Sequence, residues 1–399
     1  MKKVLIWHTY NLKPTGGPSG YLYNIKQYIR HNKIENIFFL SDIIDINNLK
    51  ETTKKDYIFL KKIFNRFLKL FKNNNTLNIN HFIKTILYNE INYNSININF
   101  NEFDFIHFHT TYELTKYSSL LEEKKFNGKI ILTTHTPKPT YMEIIEDWNN
   151  LEIDKIPVKI LDQLKGIDLF AFNKADILLF PDKSALEPYK KWDCFRDIEA
   201  KSNFKFIPTG INPISIREEK DSILKKYNIP NESFIISYVG RHNKTKGFDL
   251  LKVFGKMILE KYPNIYFLIA GKENPIKGIS HKRWIEVGWT NDPFSIINAC
   301  DVFVLPNRET YFDLILLEVM YLDKPVLLSD TGGNKFFKNK DLDLYFFEAS
   351  DLESMINVFE NKIYNKNFYN KKNKNYIVNN LLISNYVDKY LDGNVPHSV

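Results

Sequence analysis

Cysteine is scarce in this chain: two residues, Cys194 and Cys300, occur among 399. Two cysteines cannot build the disulfide framework of small secreted domains, so the composition favours a reducing compartment. Long apolar runs are also missing, because no stretch reaches the roughly 20 consecutive apolar residues of a membrane-spanning helix. The N-terminal sequence MKKVLIWHTY carries two lysines, but its apolar run is too short for a secretory signal. We therefore expect a cytoplasmic protein.

The charge balance is basic, with 55 Lys and Arg against 47 Asp and Glu, a net charge of +8. Such an excess favours phosphate-bearing partners, either nucleotides or acidic lipid surfaces. No basic motif with interleaved aromatic residues indicates a nucleic-acid-binding module, so nucleic acid is not an expected partner. The length of the chain suffices for two domains with separate cores.

The segment 301–334 reads DVFVLPNRETYFDLILLEVMYLDKPVLLSDTGGN and predicts strand, loop, helix, strand and glycine turn. The short apolar runs 302–305 and 326–328 are typical of buried strands, and residues 314–322 follow helical spacing. Polar residues cluster where these strands end. In an open parallel sheet, that edge is where a ligand binds.

Glu318 stands in an apolar part of that predicted helix, between Leu317 and Val319. A carboxylate there is costly to bury unless another group bonds to it. It is either a functional carboxylate or a solvent-facing residue of an amphipathic helix, and the polar loop and glycine turn around it favour the first. Glu309 can share a site with Glu318 only from the loop, because nine residues along one helix place two side chains on opposite faces.

A basic loop, GRHNKTKG, follows the predicted strand 234–239 and leads into a predicted helix that begins at residue 248. Arg241 and Lys246 thereby stand at the carboxyl end of a strand, just before a helix N-terminus. Cations and free backbone amides in that arrangement form an anion pocket. A solvated basic loop is the alternative, and the strand–loop–helix setting favours phosphate binding.

In the N-terminal half, the predicted strand 3–7 precedes the glycine-rich PTGGPSG, which is not a Walker loop because no Gly-Lys-Ser/Thr follows. Two further predicted strands end in histidine, at His109 and His135. His107 and His109 form an HxH pair that could bind a metal, but no Cys or Glu cluster completes a ligand set, so we expect no metal. For His109, a structural role and a site role remain equally open.

Residues 50–95 interrupt the alternation of strands and helices. Within them, 57–72 predicts a basic amphipathic helix, with bulky apolar residues on one side and lysines and an arginine on the other. Such a helix either lies on an anionic membrane surface or packs against its own domain. The second alternative is favoured, because most amphipathic helices are simply half-buried.

The sequence PNRETYFDLILLEVMYLDKPVLLSDTGGN resembles the donor-site segment of retaining GT-B glycosyltransferases of family 4, also called glycosyltransferase group 1. This family includes many lipopolysaccharide and capsule enzymes. Its members usually show two glutamates with Phe-Gly-Leu between them. Phe312-Asp313-Leu314 aligns with that tripeptide and Glu318 with the second glutamate, while Asp313 replaces the glycine. Either Glu309 or Thr310 fills the position of the first glutamate.

The resemblance implies an α/β protein of the GT-B fold, with two Rossmann-like, doubly wound parallel-sheet domains facing a cleft. Residues 1–212 would form the acceptor-side domain, with a helical insertion at about 50–95. Residues 213–380 would bind the nucleotide sugar, with 287–290 against the nucleobase. Residues 381–399 would form a helix that crosses back to the first domain, and a tail.

The resemblance also implies roles for individual side chains. Catalytic roles fall on His135, Arg241, Lys246 and Glu309. Donor-binding roles fall on Gly16, Gly17, Arg241, Lys246, Phe312, Asp313, Leu314 and Glu318.

The implied activity is transfer of a sugar, of the hexosyltransferase type, from a UDP- or GDP-linked donor to a glycan or lipid-linked acceptor in surface polysaccharide synthesis. No metal or other cofactor is expected, because the cations of the protein would take its part. The expected location is the cytoplasm, and peripheral association at the inner face of the membrane is the alternative that the helix 57–72 leaves open. A GT-B sugar-nucleotide epimerase and a non-catalytic nucleotide-sugar-binding protein are the alternatives.

Overall fold

The computed structural model describes residues 2–14, 17–46, 83, 96–147, 156–364 and 372–391. The chain forms two compact units. The first comprises the described residues of 1–180 and 189–206, and the second comprises Pro181–Pro188 and the described residues from Ile207 onward. The domain bounds expected from the sequence, including the crossing of the last helix to the first domain, stay predictions.

The strands of the first unit are β1 Val4–Trp7, β2 Ile37–Phe39, β3 Phe105–Phe108, β4 Lys129–Leu132, β5 Ile177–Phe180 and β6 Phe204–Phe206. They pair in parallel in the order β2-β1-β3-β4-β5-β6. Every residue of β1, β3 and β5 is buried, as is typical of parallel sheets covered on both faces.

The strands of the second unit are β7 Phe234–Val239, β8 Ile265–Ala270, β9 Trp284–Gly288, β10 Val302–Leu305, β11 Val326–Ser329 and β12 Leu344–Phe347. They also pair in parallel, in the order β12-β11-β10-β7-β8-β9. The expected pair of parallel-sheet α/β units is therefore confirmed.

Helices connect the strands of each sheet, as parallel pairing requires. Those of the first unit are α1 Pro18–His31, α2 Leu40–Ile43, α3 Thr111–Glu123, α4 Thr140–Asp147 and α5 Val158–Lys174. Those of the second unit are α6 Lys220–Lys226, α7 Phe248–Lys261, α8 Pro293–Asn298, α9 Leu314–Tyr321, α10 Leu352–Val358, α11 Lys372–Asn380 and α12 Ile383–Leu391. Short 3-10 helices include Lys183–Lys191 and Gly332–Phe337, and a π-helical turn spans Phe359–Tyr364.

Helix α7 shows how the apolar pattern places these helices on the sheet. Phe248, Leu251, Phe254 and Ile258 recur at helical spacing and are buried in the core of the second unit. The opposite side of the helix carries exposed Val253 and Met257 among lysines.

The strand order reverses beside β1 in the first unit and beside β7 in the second. Loops that leave the carboxyl ends of two strands on either side of such a reversal diverge and leave a crevice, where ligands bind in this class of sheet. In the second unit these are the loops after β7 and β10. In the first unit they are the loops after β1 and β3.

Several sequence expectations lie outside the described residues: the helical insertion at about 50–95, apart from residue 83, with its basic amphipathic helix 57–72, as well as Gly16 and the tail from residue 392 onward. None of the helices in the part of the chain that the structure describes has both the length and the apolar character needed to span a lipid bilayer.

Candidate active site

The basic loop of the second unit runs from the end of β7 to the start of α7. Its first cation, Arg241, is exposed, and its backbone carbonyl accepts a hydrogen bond of 2.8 Å from the Tyr238 hydroxyl. Its last cation, Lys246, is half-buried, and the Lys246 backbone amide donates to Asn243 Oδ1 at 2.9 Å. The loop therefore fixes its backbone through its own side chains and leaves the guanidinium of Arg241 in solvent.

Gly247 brings this loop against the loop that follows β10. It has φ of 66°, and a Cβ there would lie 1.8 Å from the carbonyl oxygen of Pro306. A left-handed conformation and this close approach together admit only glycine. Next to it, the Arg308 amide donates to Thr245 O at 2.9 Å. The two loops thus form one polar surface at adjoining strand ends.

Asp313 joins the two loops through its side chain. Its Oδ1 lies 2.6 Å from Lys246 Nζ, and its Oδ2 accepts a hydrogen bond from the side-chain amide of Asn307. Asp313 precedes α9 at the N-cap position, yet its side chain does not cap that helix. An aspartate in this position usually bonds to the first helical amides. Here its carboxylate turns to Lys246 instead.

Glu318 lies on α9, in the helical turn that follows, and is half-buried. Its burial, and then the neighbouring Asp313 carboxylate, raise the pKa of Glu318 to about 7. Among the described residues, none donates a hydrogen bond to its carboxylate. A half-buried acid without a donor is the kind of group that a ligand hydroxyl can satisfy.

The stretch 309–312, just before Asp313, packs on the glycine turn after β11. Thr310 and Phe312 are buried, while Glu309 is half-buried. A Cβ on Gly332 would lie 2.1 Å from Thr310 O, and one on Gly333 would lie 2.0 Å from Tyr311 O. The turn therefore needs both glycines to seat this stretch.

Leu314 and Phe312 flank Asp313 at the start of α9. Leu314 is the first residue of the helix and is half-buried. The Phe312 ring packs on Phe336 at 5.4 Å and on Phe337 at 5.9 Å between ring centroids. This aromatic cluster fixes the N-terminal end of α9 against the Gly332–Phe337 helix.

His242 is a residue of the basic loop whose role the sequence did not indicate. It is fully buried, and its ring stacks on Phe248 with centroids 3.8 Å apart. Burial lowers the pKa of His242 to about 4, so its imidazole is uncharged at neutral pH. The ring packs the loop onto α7 between Arg241 and Lys246.

In the first unit, histidines gather at the carboxyl ends of β3 and β4. Phe108 and Leu132 are register partners, so the residues that follow them continue side by side. His109 Nδ1 lies 2.8 Å from His135 Nε2, and the ring centroids of His107 and His109 are 4.1 Å apart. The structure thus confirms that His107 and His109 share a face.

The hydrogen bonds of Thr133 define the proton on His107. Thr133 Oγ1 donates to the Leu179 carbonyl at 2.9 Å, so it must accept at 2.9 Å from His107 Nε2. Burial lowers the pKa of His107 to about 3 and that of His135 to about 4. These rings are therefore neutral near pH 7 and act through hydrogen bonds rather than through charge.

His135 has the positive φ of 58°, which is uncommon for a residue with a side chain. It is half-buried, and its ring meets Tyr21 of α1 edge to face at 5.5 Å. Gly17, with φ of 80°, precedes α1, and its carbonyl accepts a hydrogen bond from the Tyr21 amide. The structure thus brings the first turn of α1 beside His135.

Glu113 is a further residue that sequence reasoning missed. It is 1% exposed and accepts hydrogen bonds from the Thr9 amide at 2.9 Å and the Thr9 hydroxyl at 2.6 Å. Burial raises the pKa of Glu113 above its ordinary value. The sequence signal was Thr110-Thr-Tyr-Glu113, a capping box at the start of α3. Glu113 ties the start of the loop after β1 to that helix.

Metal ligands do not gather in the part of the chain that the structure describes, where no group of three or more His, Cys, Asp or Glu side chains could hold an ion. The residues expected to act on a donor fall into two sets. Arg241, Lys246, Glu309, Phe312, Asp313, Leu314 and Glu318 belong to the second unit, and Gly17 and His135 belong to the first.

The second unit matches a known family. Residues 233–361 fit the family model described as Glycosyl transferases group 1, and they include Arg241, Lys246 and Glu318. The solved structure of HepE from Anabaena in complex with UDP has a TM-score of 0.59 to this chain, at 12% identity, and covers 98% of this chain and 99% of that one. The fold is therefore GT-B, as expected.

Curated relatives match parts of the chain. The UDP-Gal:alpha-D-GlcNAc-diphosphoundecaprenol alpha-1,3-galactosyltransferase of Escherichia coli is 30% identical over 207 residues, 47% of this chain and 52% of that protein. The capsular polysaccharide biosynthesis glycosyltransferase CapM of Staphylococcus aureus is 27% identical over 134 residues, 31% of this chain and 35% of that protein. The chain thus spans about half the length, or less, of these curated relatives.

Proposed function

We propose that this chain is a retaining glycosyltransferase of family 4, of the hexosyltransferase type. It moves a sugar from a UDP- or GDP-linked donor to a glycan or lipid-linked acceptor in surface polysaccharide synthesis. The relatives named for galactosyl transfer and for capsule biosynthesis support this reading. One observation carries this proposal. The Lys246 side chain pairs with Asp313 at the start of α9, the helix that contains Glu318, where the ends of two adjoining strands lie side by side. All three residues lie in the segment that fits group 1 glycosyltransferases.

Arg241 and Lys246 are proposed to bind the donor diphosphate. Both follow β7 at the reversal of strand order, and both are cations near the start of a helix. Their charge would stabilise the diphosphate as it departs, which is the step in which negative charge develops. Glu318 would accept hydrogen bonds from the ribose hydroxyls, because its half-buried carboxylate has no donor among the described residues.

Glu309 would orient the hydroxyls of the sugar, together with backbone amides near Phe312 and Asp313. The half-buried Glu309 is better placed for this role than the buried Thr310. Gly16 and Gly17 would allow a ligand to approach the backbone before α1. His135 would contact the donor sugar as a neutral hydrogen-bonding group, since burial lowers the pKa of His135 to about 4.

The proposed reaction breaks the bond between the anomeric carbon and the β-phosphate oxygen and forms a bond from that carbon to the acceptor oxygen. The acceptor proton passes to the departing phosphate oxygen. Attack on the same face retains the anomeric configuration without a protein nucleophile. Catalysis then rests on stabilisation of the leaving diphosphate and of positive charge on the sugar. We propose that these cations replace a metal, and that the enzyme acts in the cytoplasm.

The test removes the charge of Lys246. Lys246→Ala should lower the rate of sugar transfer about 100-fold or more, because charge stabilisation of the leaving group is lost. The unfolding midpoint should stay within a few degrees of the wild type. The assay supplies a panel of UDP- and GDP-linked hexoses with and without acceptor, and follows donor consumption. Dependence on acceptor separates transfer from epimerisation.

Lys244→Ala is the matched control, because Lys244 is an exposed lysine of the same loop. It removes the same charge and should leave the transfer rate within about twofold. Full turnover by Lys246→Ala, or an equal loss in both variants, would refute the phosphate assignment.

A further inference from the structure

Asp313 occupies the position where the resembling family has glycine, and its carboxylate is bonded to the lysine proposed to bind phosphate. The distance from Lys246 Nζ to Asp313 Oδ1 is 2.6 Å, and both side chains are mostly shielded from solvent. A carboxylate at this place cancels the positive charge of one of the two cations that we propose to bind the diphosphate. The site therefore carries less positive charge than the number of its cations suggests.

A second side chain, that of Asn307, also holds the Asp313 carboxylate. The side-chain amide of Asn307 donates to it, and Asn307 is fully buried. The Asn307 backbone carbonyl in turn accepts a hydrogen bond of 2.6 Å from Ser329 Oγ at the end of β11. When Lys246 turns to a phosphate, the negative charge of Asp313 therefore stays where it is.

A fixed negative charge beside the diphosphate does not act equally on donor and product. The terminal phosphate of a free nucleoside diphosphate loses its second proton near pH 6 and then carries an additional negative charge. In a nucleotide sugar, the sugar ester occupies that oxygen. The sugar also brings hydroxyl groups, which can donate hydrogen bonds to a carboxylate. Like charges at close range repel each other, so Asp313 opposes the product more than the donor.

We propose that Asp313 is a specificity-determining residue that makes this site prefer a nucleoside diphosphate sugar to the free nucleoside diphosphate, and so promotes release of the product. This inference rests on the proposed function. The glycine of the resembling family has no side chain and therefore cannot provide this discrimination.

The experiment measures dissociation constants at pH 7.5 by calorimetry for UDP, GDP and a panel of UDP- and GDP-linked hexoses. The wild type should bind a sugar nucleotide more tightly than the matching free diphosphate. Asp313→Asn should shift the ratio of the two constants about tenfold toward the free diphosphate, because the like-charge repulsion is gone. At pH 5.5, where the terminal phosphate holds its second proton, this difference between wild type and variant should shrink.

Asp249→Asn is the matched control. Asp249 lies in the first turn of α7 and pairs with Arg308 at 2.7 Å, so the variant makes the same charge change without touching Lys246. The ratio should not change in this variant. Asp313→Gly, which carries the residue of the resembling family, is the second variant and should act like Asp313→Asn.

The outcomes separate the two proposals. If no nucleotide of the panel binds the wild type, the proposed function is wrong and this inference falls with it. If nucleotides bind but Asp313→Asn leaves the ratio within about twofold, the inference alone is overturned. A wild type that prefers the free diphosphate to every sugar nucleotide also overturns it.

Discussion

The loops at the strand ends of the two units carry chemically different side chains. In the second unit, the loops after β7 and β10 carry charged groups, and Lys246 and Asp313 meet as an ion pair of 2.6 Å. In the first unit, the loops after β3 and β4 carry His109 and His135, which burial keeps uncharged at neutral pH. The second unit therefore has the groups that we propose to hold a diphosphate. The first has groups that can hydrogen-bond to a ligand without attracting an anion.

The loops before the first helix of each site differ as well. Gly17 precedes α1 and Gly247 precedes α7, and both glycines have a positive φ. A Cβ on Gly17 would meet nothing within 4 Å, whereas one on Gly247 would meet the Pro306 carbonyl at 1.8 Å. The loop after β7 is thus packed against its neighbour, while that after β1 is open at Gly17. A packed loop suits fixed charges, and an open one leaves room for a ligand to approach.

The largest effect expected from this comparison is on the free energy of unfolding. Gly247→Ala should lower the free energy of unfolding of the second unit by about 4 kcal/mol, because strain and a backbone clash add. Gly17→Ala, the matched variant, should cost only about 1–2 kcal/mol, since strain alone applies. Thermal unfolding should show a fall of roughly 10 °C for the first and of a few degrees for the second. Equal falls would contradict the contrast between the packed and the open loop.

A second test separates binding of the nucleotide from transfer of the sugar. His135→Asn removes the imidazole and keeps a residue that tolerates positive φ. Transfer should fall about 100-fold, because a hydrogen bond to the reacting sugar is lost, while the dissociation constant of UDP or GDP should change less than about twofold. His31→Ala, at the exposed end of α1, is the control. A matching loss of nucleotide affinity would contradict a sugar-contacting role for His135.

The smallest effect expected is a pH dependence that belongs to the second unit. Burial and the Asp313 charge raise the pKa of Glu318 to about 7, so its carboxylate loses its charge as the pH falls from 8 to 6. If ribose hydroxyls bond to the ionised form, affinity for a sugar nucleotide should fall severalfold, roughly as the ionised fraction does. Glu318→Gln should bind weakly at both pH values. An unchanged pH dependence in that variant would assign the titration to another group.

The stability of Glu318→Gln offers a check with the opposite sign. Because the folded state raises the pKa of Glu318 above its ordinary 4.5, ionisation of this group opposes folding. Its cost appears as the pH rises from about 4.5 to about 7 and is fully present above that range. At pH 8 the glutamine variant should therefore be more stable than the wild type, by on the order of 1 kcal/mol after allowance for solvent screening. A variant that gains function and loses stability would contradict this account.

Much of the fold followed from short apolar runs. The runs that became β7, β10 and β11 were long enough and mostly apolar, so the strands were predicted within a residue or two. The edge strands β2 and β12 were missed. Both are short, and each has half-buried positions, because an edge strand lacks a neighbour on one side. Their sequences therefore do not stand out from a loop.

The candidate site was predictable in part. Arg241, Lys246 and Glu318 could be chosen because the loops and helix that carry them follow predicted strands. The partner of Lys246 could not be chosen, since Asp313 lies 67 positions away along the chain. Glu113 was missed for the same reason: its capping box was visible, but its bond to Thr9 spans 104 positions.

The amino-acid sequence by itself determined where strands, helices and glycine loops begin and end, because hydrophobic period and turn residues act over a few neighbours. It also determined that cations and acids would follow strands at a sheet edge. Only the tertiary structure decided which of them meet. Strand β10 lies beside β7, although two strands separate them in the chain, and that crossover brings Asp313 to Lys246. Such pairing depends on the packing of a whole sheet, which no local pattern encodes.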